Sequence, residues 1–523
     1  MATSYLESQS SPRDLAASPV YSERLTARAT LNAIASLLDY FARIGVGVVI
    51  TPLLVSGLGR SLFGVWEILG RLVGYMSATD GRPTDALRLI VSNQQTSSDS
   101  IAKQRLVGSA VGVWLIFLPL LTTLGAIVIW ISPTIGKVSP NSYRSIRLTT
   151  ALLVLNFLLA NLVALPEAVL RGMNLGYKRM GLQAGLSLVG GLLTAGAIYS
   201  GTGIIGVAGA QVLLTGVTGV LFWFVVKKYV SWFAVRMPTR ADIRRLMSLS
   251  VWNTIGNLVA KLQLASDVLI LGIVASASTV SIYVLTGYAA QAVTGIITLI
   301  IGAITPGFAG LIGAKQFEKS AVLRNEVLAM NWLLVTTVGS TILLWNRSFL
   351  NLWVGESFYS GSQANLLIIL LMVQTSFIRS DAQFIDATLK LRDRIIVNLL
   401  AAVLSITLSV VLTSRLGIAG LCLGMLIGRL LQTVLYPLMI NSYLGNSRPF
   451  SLNTIVRRSS MTAILFVAAT YGSRRILAQN WIEWGLSVIA TLSVATLLAA
   501  TLGLCNECRK VLLQRLRLIL RLA

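Results

Sequence analysis

The fold is decided by residues 31–52, LNAIASLLDYFARIGVGVVITP, a run that is long and apolar enough to cross a bilayer as a helix. Asn32, Ser36, Asp39 and Arg43 recur along it at spacings of four, three and four, which places them on one helical face. Asp39 and Arg43 then stand one turn apart, where they can pair. Because a charge facing lipid costs about 2.5–3.5 kcal/mol, we expect this face to look into protein or a wet cavity.

The composition of the whole chain is that of a membrane protein. Of its 523 residues, 55% are hydrophobic and 12% are charged, whereas soluble domains carry about 25% charged residues. The apolar runs are too long, and too rich in Leu, Ala and Gly, for barrel strands, which alternate over about ten residues. The sequence therefore predicts an all-α polytopic membrane protein.

Fourteen apolar segments follow a polar N-terminal tail, and each of them predicts a transmembrane helix. Some neighbouring segments are separated only by short turns that contain glycine, as at 57–60 and 201–203. The fourteen segments lie near residues 31–56, 61–79, 106–131, 147–166, 180–200, 204–226, 249–274, 280–302, 327–346, 363–378, 395–413, 416–440, 459–473 and 482–504.

The basic residues predict the orientation of these helices. Of the 43 Lys and Arg residues, 31 fall in the tails and loops on the side of the N-terminus, eight on the opposite side and four within spans. This asymmetry places both termini in the cytoplasm. It also explains the net charge of +24 by membrane orientation and contact with phospholipids, and no base-reading motif indicates nucleic acid.

Short repeats indicate that the chain has two related halves. Residues 203–206 (GIIG) match residues 417–420 (GIAG) at an offset of 214, and Glu167 matches Asp381 at the same offset. We therefore expect a parallel repeat with the transport site between its halves, near mid-membrane. The predicted parts are a cytoplasmic tail (1–28), an N-terminal six-helix bundle (29–226), a basic cytoplasmic linker (227–248), a C-terminal six-helix bundle (249–440), two further transmembrane helices (441–505) and a basic amphipathic tail (506–523).

Seven ionisable residues within the predicted spans are the candidate site residues. The surplus of cations favours an anionic cargo, above all a phosphate, which guanidinium groups bind in a bidentate way. The alternatives are that Arg43 and Arg71 are neutralised by carboxylates one turn earlier, and that Arg429 extends to a helix end. The carboxylates are candidates for ion coupling or gating. The candidates for substrate binding are Arg43, Arg71, Lys261 and Arg429, and those for coupling or gating are Asp39, Glu67 and Asp267.

The sequence offers no enzyme site. It contains no His and only three Cys, of which Cys505 and Cys508 form an isolated Cys-x-x-Cys that is weak evidence for a metal. Nucleotide-binding glycine loops, metalloprotease motifs and nucleophile elbows are absent from it. We therefore expect a transporter with no cofactor, and leave open whether Na⁺ or H⁺ is coupled to transport.

Several motifs resemble those of polysaccharide-exporting flippases of the Wzx type, within the multidrug/oligosaccharidyl-lipid/polysaccharide superfamily. Their order and spacing cover most of residues 30–440. The matching stretches are residues 52–66 (PLLVSGLGRSLFGVW), 203–206, 252–272 (WNTIGNLVAKLQLASDVLILG) followed by Tyr283, 306–311 (PGFAGL), 352–355 (LWVG) and 417–420.

The resemblance implies a V-shaped pair of six-helix bundles with two extra C-terminal helices. It also implies that the cargo is an undecaprenyl-pyrophosphate-linked oligosaccharide, which moves from the inner to the outer leaflet by alternating access. The protein would act as a monomer beside a polysaccharide polymerase and export machinery. The cation-lined cavity of the family corresponds to Arg43, Arg71, Lys261 and Arg429 by location.

Three other functions compete with this one. A cation-coupled multidrug exporter of the same superfamily would need carboxylates and aromatic groups for a cationic cargo, and the surplus here is of cations. A membrane-embedded polymerase or glycosyltransferase would need a long external loop with paired acids, which the chain lacks. A scaffold that transports nothing leaves the intramembrane charges unexplained.

Overall fold

The structure is a computed structural model that describes residues 19–95, 97, 99–248, 258, 261, 266–388, 391–444, 452–504 and 509. These residues form helices and connecting turns and no β-strand, which confirms the predicted fold class. The α-helices among them are α1 (Pro19–Met76), α2 (Pro83–Asn93), α3 (Ser100–Ile135), α4 (Tyr143–Gly172), α5 (Met180–Tyr199), α6 (Gly203–Tyr229), α7 (Ser266–Val274), α8 (Ala277–Thr286), α9 (Tyr288–Gly313), α10 (Phe317–Trp353), α11 (Ser362–Ala387), α12 (Leu391–Gly428), α13 (Leu430–Tyr443), α14 (Leu452–Gly472) and α15 (Trp481–Leu498).

Ten helical stretches within the described residues are long and apolar enough to cross a membrane. Two of them each contain two predicted segments, because α1 is kinked at Gly59 and α12 at Gly417. The φ angles there are 74° and 56°, a left-handed backbone conformation that glycine adopts at little cost. Most of the seventh predicted segment, and nearly all of the predicted amphipathic tail with Cys505 and Cys508, lie outside the described residues.

Several helices extend further than the sequence predicts, and two of these extensions hold a buried ion pair. Helix α10 begins at Phe317 and α11 ends at Ala387, whereas the apolar segments suggested 327 and 378. Arg324 and Asp381 lie in these extensions and bind each other there. The predicted start of α10 and the predicted end of α11 were wrong because each was placed at the limit of an apolar run. The helices continue past those limits, where their charged residues Arg324 and Asp381 are buried as an ion pair.

The chain divides into two compact units. Unit 1 comprises residues 1–59 and 69–258, and unit 2 comprises residues 60–68 and 259–523. Residues 60–68, which follow the Gly59 kink of α1, therefore belong to unit 2. There Ser281 donates a hydrogen bond of 2.6 Å to the carbonyl oxygen of Arg60. At Gly64 an added Cβ would overlap the carbonyl oxygen of Ala277, so the close approach of these backbones requires glycine.

In unit 1, helix α2 and part of the basic linker are packed structure, although the sequence predicted loops in both places. Helix α2 buries Leu87 and Ile90 in a core that also contains Phe233 and Leu246 from the linker. The linker lies close to α3, since a Cβ on Gly108 would overlap the carbonyl oxygen of Arg236. This part of the linker is therefore held on unit 1 by burial of its apolar side chains.

In unit 2, helix α10 is the central element, and most of its apolar stretch is buried. The indole N–H groups of Trp332 and Trp345 donate hydrogen bonds of 3.0 Å and 2.9 Å to Thr462 in α14 and Thr491 in α15. These bonds satisfy two buried donors. They fix the two C-terminal helices on α10.

The predicted repeat has a structural counterpart in each unit. Gly203 begins α6 with a φ of 60°, and Gly417 has a φ of 56° at the kink of α12. The glycine three residues after each of them also lies close to its neighbours: a Cβ on Gly206 would overlap Thr202, and a Cβ on Gly420 would overlap the carbonyl of Leu412. In both copies of the motif, the first glycine has a positive φ and the second lies too close to its neighbours for a Cβ.

Candidate functional site

Five charged residues in unit 1 form a group that we call the unit 1 charge cluster: Asp39, Arg43, Glu167, Arg171 and Arg179. Glu167 forms ion pairs of 2.7 Å with Arg171 and 3.0 Å with Arg179. Arg179 is buried and also donates a hydrogen bond of 3.3 Å to Gln183. With three guanidinium groups and two carboxylates, the cluster carries a formal charge of one positive unit.

Asp39 is the buried carboxylate of this cluster, with an exposed fraction of 6%. Its Oδ1 atom accepts no hydrogen bond from any described residue. Arg43 donates from Nε to the main-chain carbonyl of Asp39 at 3.3 Å, and within the described chain no ion pair joins the two side chains. The electrostatic neighbours of Asp39 are, in order of strength, Arg179, Arg43 and Arg171.

Arg43 itself is exposed and lines a cavity of about 310 Å³ between α1, α5 and α6. The cavity wall also carries the side chains of Thr51, Ser187, Thr194 and Gln211. It therefore combines one cation with neutral hydroxyl and amide groups. Such a set can bind an anion and the hydroxyl groups of a sugar through hydrogen bonds.

Three other candidate residues are half-buried. Glu67 belongs to the segment of α1 within unit 2, and Arg71 follows in the part of α1 that belongs to unit 1. Lys261 is helical and half-buried. Asn253 and Asn257, which precede Lys261 at spacings of four residues, lie outside the described residues, and the side chain of Asn32 does as well.

The remaining two candidates, Asp267 and Arg429, meet in unit 2. Asp267 accepts hydrogen bonds of 2.9 Å from the Tyr283 hydroxyl and 2.8 Å from the Val268 N–H. Arg429 is buried between α12 and α13, donates 2.9 Å to the Thr375 hydroxyl and interacts electrostatically with Asp267. We call Asp267, Tyr283 and Arg429 the unit 2 charge cluster.

Several charged residues near the candidates were not predicted, because the sequence pattern assigns them to loops. Glu167, Arg171 and Arg179 lie at the end of α4 and in the following turn, yet they interact electrostatically with Asp39. Arg379 is half-buried in α11 and donates a hydrogen bond of 2.9 Å to Thr298. The sequence repeat could have indicated these charged residues, because its matched acids Glu167 and Asp381 each form an ion pair with an arginine.

The described residues contain no group of three or more His, Cys, Asp or Glu side chains that would hold a metal ion. Cys422 is a buried free thiol near Asp267 and Arg429. What these residues can do chemically is bind charge and exchange hydrogen bonds. The long apolar helices and their buried charges define the class of the protein, which is a polytopic all-α membrane protein.

Comparisons with known proteins agree with this class. The model of the family described as "Polysaccharide biosynthesis protein" matches residues 30–311, which is more than half of the chain. The protein therefore belongs to the polysaccharide biosynthesis protein family. The predicted resemblance to polysaccharide exporters is confirmed at this level. No curated protein sequence matches the chain.

Solved structures share the fold at low sequence identity. The lipid II flippase MurJ in its inward closed conformation is 13% identical and has a TM-score of 0.67, over 88% of this chain and 98% of MurJ. An inward-facing MATE family multidrug resistance transporter of the MOP superfamily is 13% identical and has a TM-score of 0.57, over 80% of this chain and 100% of that one. The Vibrio cholerae MATE transporter VcmN in its bent form is 14% identical and has a TM-score of 0.54, over 80% of this chain and 98% of VcmN.

Proposed function

We propose that the protein is a flippase for undecaprenyl-pyrophosphate-linked oligosaccharide. It moves this lipid from the inner to the outer leaflet of the bacterial inner membrane by alternating access, for the assembly of surface or exopolysaccharide. The family match supports a role in polysaccharide synthesis. The observation that carries the proposal is the exposed Arg43 guanidinium, which lines a cavity together with hydroxyl and amide side chains and forms no ion pair with the neighbouring Asp39 side chain.

The cavity chemistry suits a glycan attached to a pyrophosphate. A guanidinium offers two parallel N–H donors to a phosphate oxygen pair. The hydroxyl and amide groups of Thr51, Ser187, Thr194 and Gln211 suit the hydroxyl groups of sugars, which both donate and accept. Arg71, Lys261 and Arg429 are proposed as further cations for the headgroup, and Arg429 is already oriented by its bond to Thr375.

The membrane potential favours this direction of transport. An anionic headgroup that leaves an inside-negative cell gains about 2.3 kcal/mol per charge for each 100 mV. A coupled Na⁺ or H⁺ would add to this driving force, and Asp39, Glu67 and Asp267 are the proposed positions for it. Asp39 suits the role best because its Oδ1 accepts no hydrogen bond from the described residues.

Deletion of the encoding gene tests the proposal. We expect lipid-linked oligosaccharide to accumulate in the inner leaflet of the deletion strain, where an impermeant glycan-modifying reagent does not reach it in intact cells. Restoration by the intact gene is the control. Unchanged oligosaccharide pools would contradict the proposal.

The second candidate is a cation-coupled multidrug exporter, which the shared MATE fold favours. A multidrug exporter would bind cationic compounds and would protect cells from them. If the deletion strain becomes sensitive to cationic drugs while its lipid-linked oligosaccharide pools stay unchanged, this second function is the correct one.

A further inference from the structure

A groove in unit 2 shares no lining residue with the unit 2 charge cluster. It has a volume of about 500 Å³ and runs between α11 and α14, and Trp332 of α10 is part of its wall. Its lining extends from Leu366 to Phe377 on α11 and from Ile455 to Val467 on α14. Most of these side chains are aliphatic or aromatic, so the groove favours an apolar occupant.

The length of the groove corresponds to one leaflet of a bilayer. At a rise of about 1.5 Å per residue, the lining stretches of α11 and α14 extend about 16 Å and 18 Å. The hydrocarbon core of a bilayer is about 30 Å thick, so one leaflet contributes about 15 Å. An acyl chain from a single leaflet therefore fits along the groove.

A cation stands at one end of the groove. Arg458 lines it one turn from Ile455 and is 6% exposed, and its guanidinium lies 5.5 Å from the centre of the Trp332 ring. Arg457 is exposed beside it. An apolar trough with a basic side chain at one end is complementary to a molecule with a hydrocarbon chain and an anionic headgroup.

We propose that this groove binds one phospholipid with an anionic headgroup. The phosphate group contacts Arg458, and one acyl chain lies against Trp332 between α11 and α14. The bound lipid fills the space beside the Trp332–Thr462 hydrogen bond and so helps to hold α14 on unit 2. The proposal does not depend on which cargo the protein transports.

Native mass spectrometry of the full-length protein tests the proposal. The protein is released from nanodiscs that contain equal amounts of phosphatidylglycerol and phosphatidylethanolamine, and the retained lipid is counted. We expect one retained phosphatidylglycerol on the wild-type protein. Arg458→Gln should lower this retention by about fivefold, since one basic side chain near an anionic lipid headgroup is worth about that factor in affinity.

Two further variants keep the result interpretable. Ala463→Trp fills the exposed groove wall without replacing a buried side chain and should also lower retention. Arg415→Gln removes an exposed cation elsewhere in unit 2 and should leave retention unchanged. Equal retention in the wild type and in Ala463→Trp would overturn the proposal. Displacement of phosphatidylglycerol by a stoichiometric amount of undecaprenyl phosphate would overturn it as well, because the groove would then be a site for the tail of the cargo.

Discussion

Arg43 donates its Nε–H to the main-chain carbonyl of Asp39, one helical turn earlier, at 3.3 Å. The Asp39 side chain, whose exposed fraction is 6%, is surrounded instead by the field of Arg179, Arg43 and Arg171. The Arg43 guanidinium is therefore positioned along the cavity wall, and among the described residues no carboxylate forms an ion pair with it. This arrangement leaves a cation available to a cargo.

The first prediction concerns Arg43. Replacement by Gln removes the charge and keeps hydrogen-bonding capacity, so we expect transport of lipid-linked oligosaccharide to fall by about tenfold, which is within the range of one lost charged hydrogen bond. Transport is measured in proteoliposomes at equal protein content. Arg144→Gln removes an exposed cation at the start of α4 and serves as the matched control. If the variant loses transport only in proportion to its loss of folded protein, Arg43 has a structural role.

The second prediction concerns the buried ion pair between Arg324 and Asp381, which are 2.8 Å apart. Asp381→Leu leaves a buried guanidinium without its carboxylate and should lower the free energy of unfolding by about 3–5 kcal/mol. The double variant Arg324→Met/Asp381→Leu should recover most of this loss, since it removes both charges. Denaturation in mixed micelles measures both changes.

The exposed ion pair of Arg347 and Glu356, at 2.5 Å, is the control for the buried one. Glu356→Leu should change the unfolding free energy by less than about 1 kcal/mol, because water solvates the remaining charge. If Asp381→Leu and Glu356→Leu lower the unfolding free energy equally, burial does not determine the strength of the Arg324–Asp381 pair.

The third prediction concerns the repeated turns. Gly203→Ala and Gly417→Ala should each destabilise the protein by about 1 kcal/mol, because their φ angles of 60° and 56° strain a residue that carries a Cβ. Gly216 lies within α6, and nothing approaches an added Cβ there. Gly216→Ala should therefore raise the melting temperature, and a matching rise in either turn variant would refute the conformational explanation.

The fourth prediction concerns Asp80, which is buried in the turn between α1 and α2. Burial raises the pKa of Asp80 from 3.8 to about 6, against the opposing effect of the Arg82 N–H bond. The folded state therefore holds the proton up to a higher pH than the unfolded state does. As the pH rises from about 4 to 6, this group lowers the stability of the protein.

Asp80→Asn removes this cost and keeps an oxygen for the bond from Arg82. We expect the variant to be more stable than the wild type above pH 6, by at most about 3 kcal/mol, since one pKa unit corresponds to about 1.4 kcal/mol. The difference should vanish below pH 4. Melting temperatures across this range measure it, and a constant difference at all pH values would contradict the raised pKa.

The fifth prediction concerns orientation. Met237 is 90% exposed in the basic linker, and Asn141 is exposed before α4. In a background without native cysteines, we expect an impermeant maleimide to label Asn141→Cys in intact cells and Met237→Cys only after lysis. The opposite pattern would reverse the predicted topology.

Local sequence patterns predicted much of the helical fold. Apolar runs located the helices, and glycines such as Gly417 located the sharp turns, because both effects act over a few residues. Patterns of this kind could not find the helix extensions at Arg324 and Asp381, since each charge is tolerated only through a partner 57 residues away. Helix α2 was missed for a related reason: it is short and gains its stability from packing in the unit 1 core.

The candidate site was predictable only in part. The polar face of α1 identified Asp39 and Arg43, and the intramembrane location of Asp267 and Arg429 identified the unit 2 charge cluster. Glu167 and Arg179 join Asp39 from distant parts of the chain, so no local spacing indicated them. The predicted proximity of Asp39 and Arg43 leads to an electrostatic interaction without an ion pair, because the Arg43 side chain reaches the main-chain carbonyl instead.

The central proposal is that the protein carries an anionic, glycan-bearing lipid past the exposed Arg43 guanidinium, which forms no ion pair with the Asp39 side chain. It is tested most directly in proteoliposomes that contain the purified protein, by measuring the leaflet exchange of a fluorescent undecaprenyl-pyrophosphate-linked oligosaccharide beside the movement of a cationic dye. We predict that the wild-type protein moves the oligosaccharide lipid and leaves the dye behind. Movement of the dye without exchange of the oligosaccharide lipid would contradict the account.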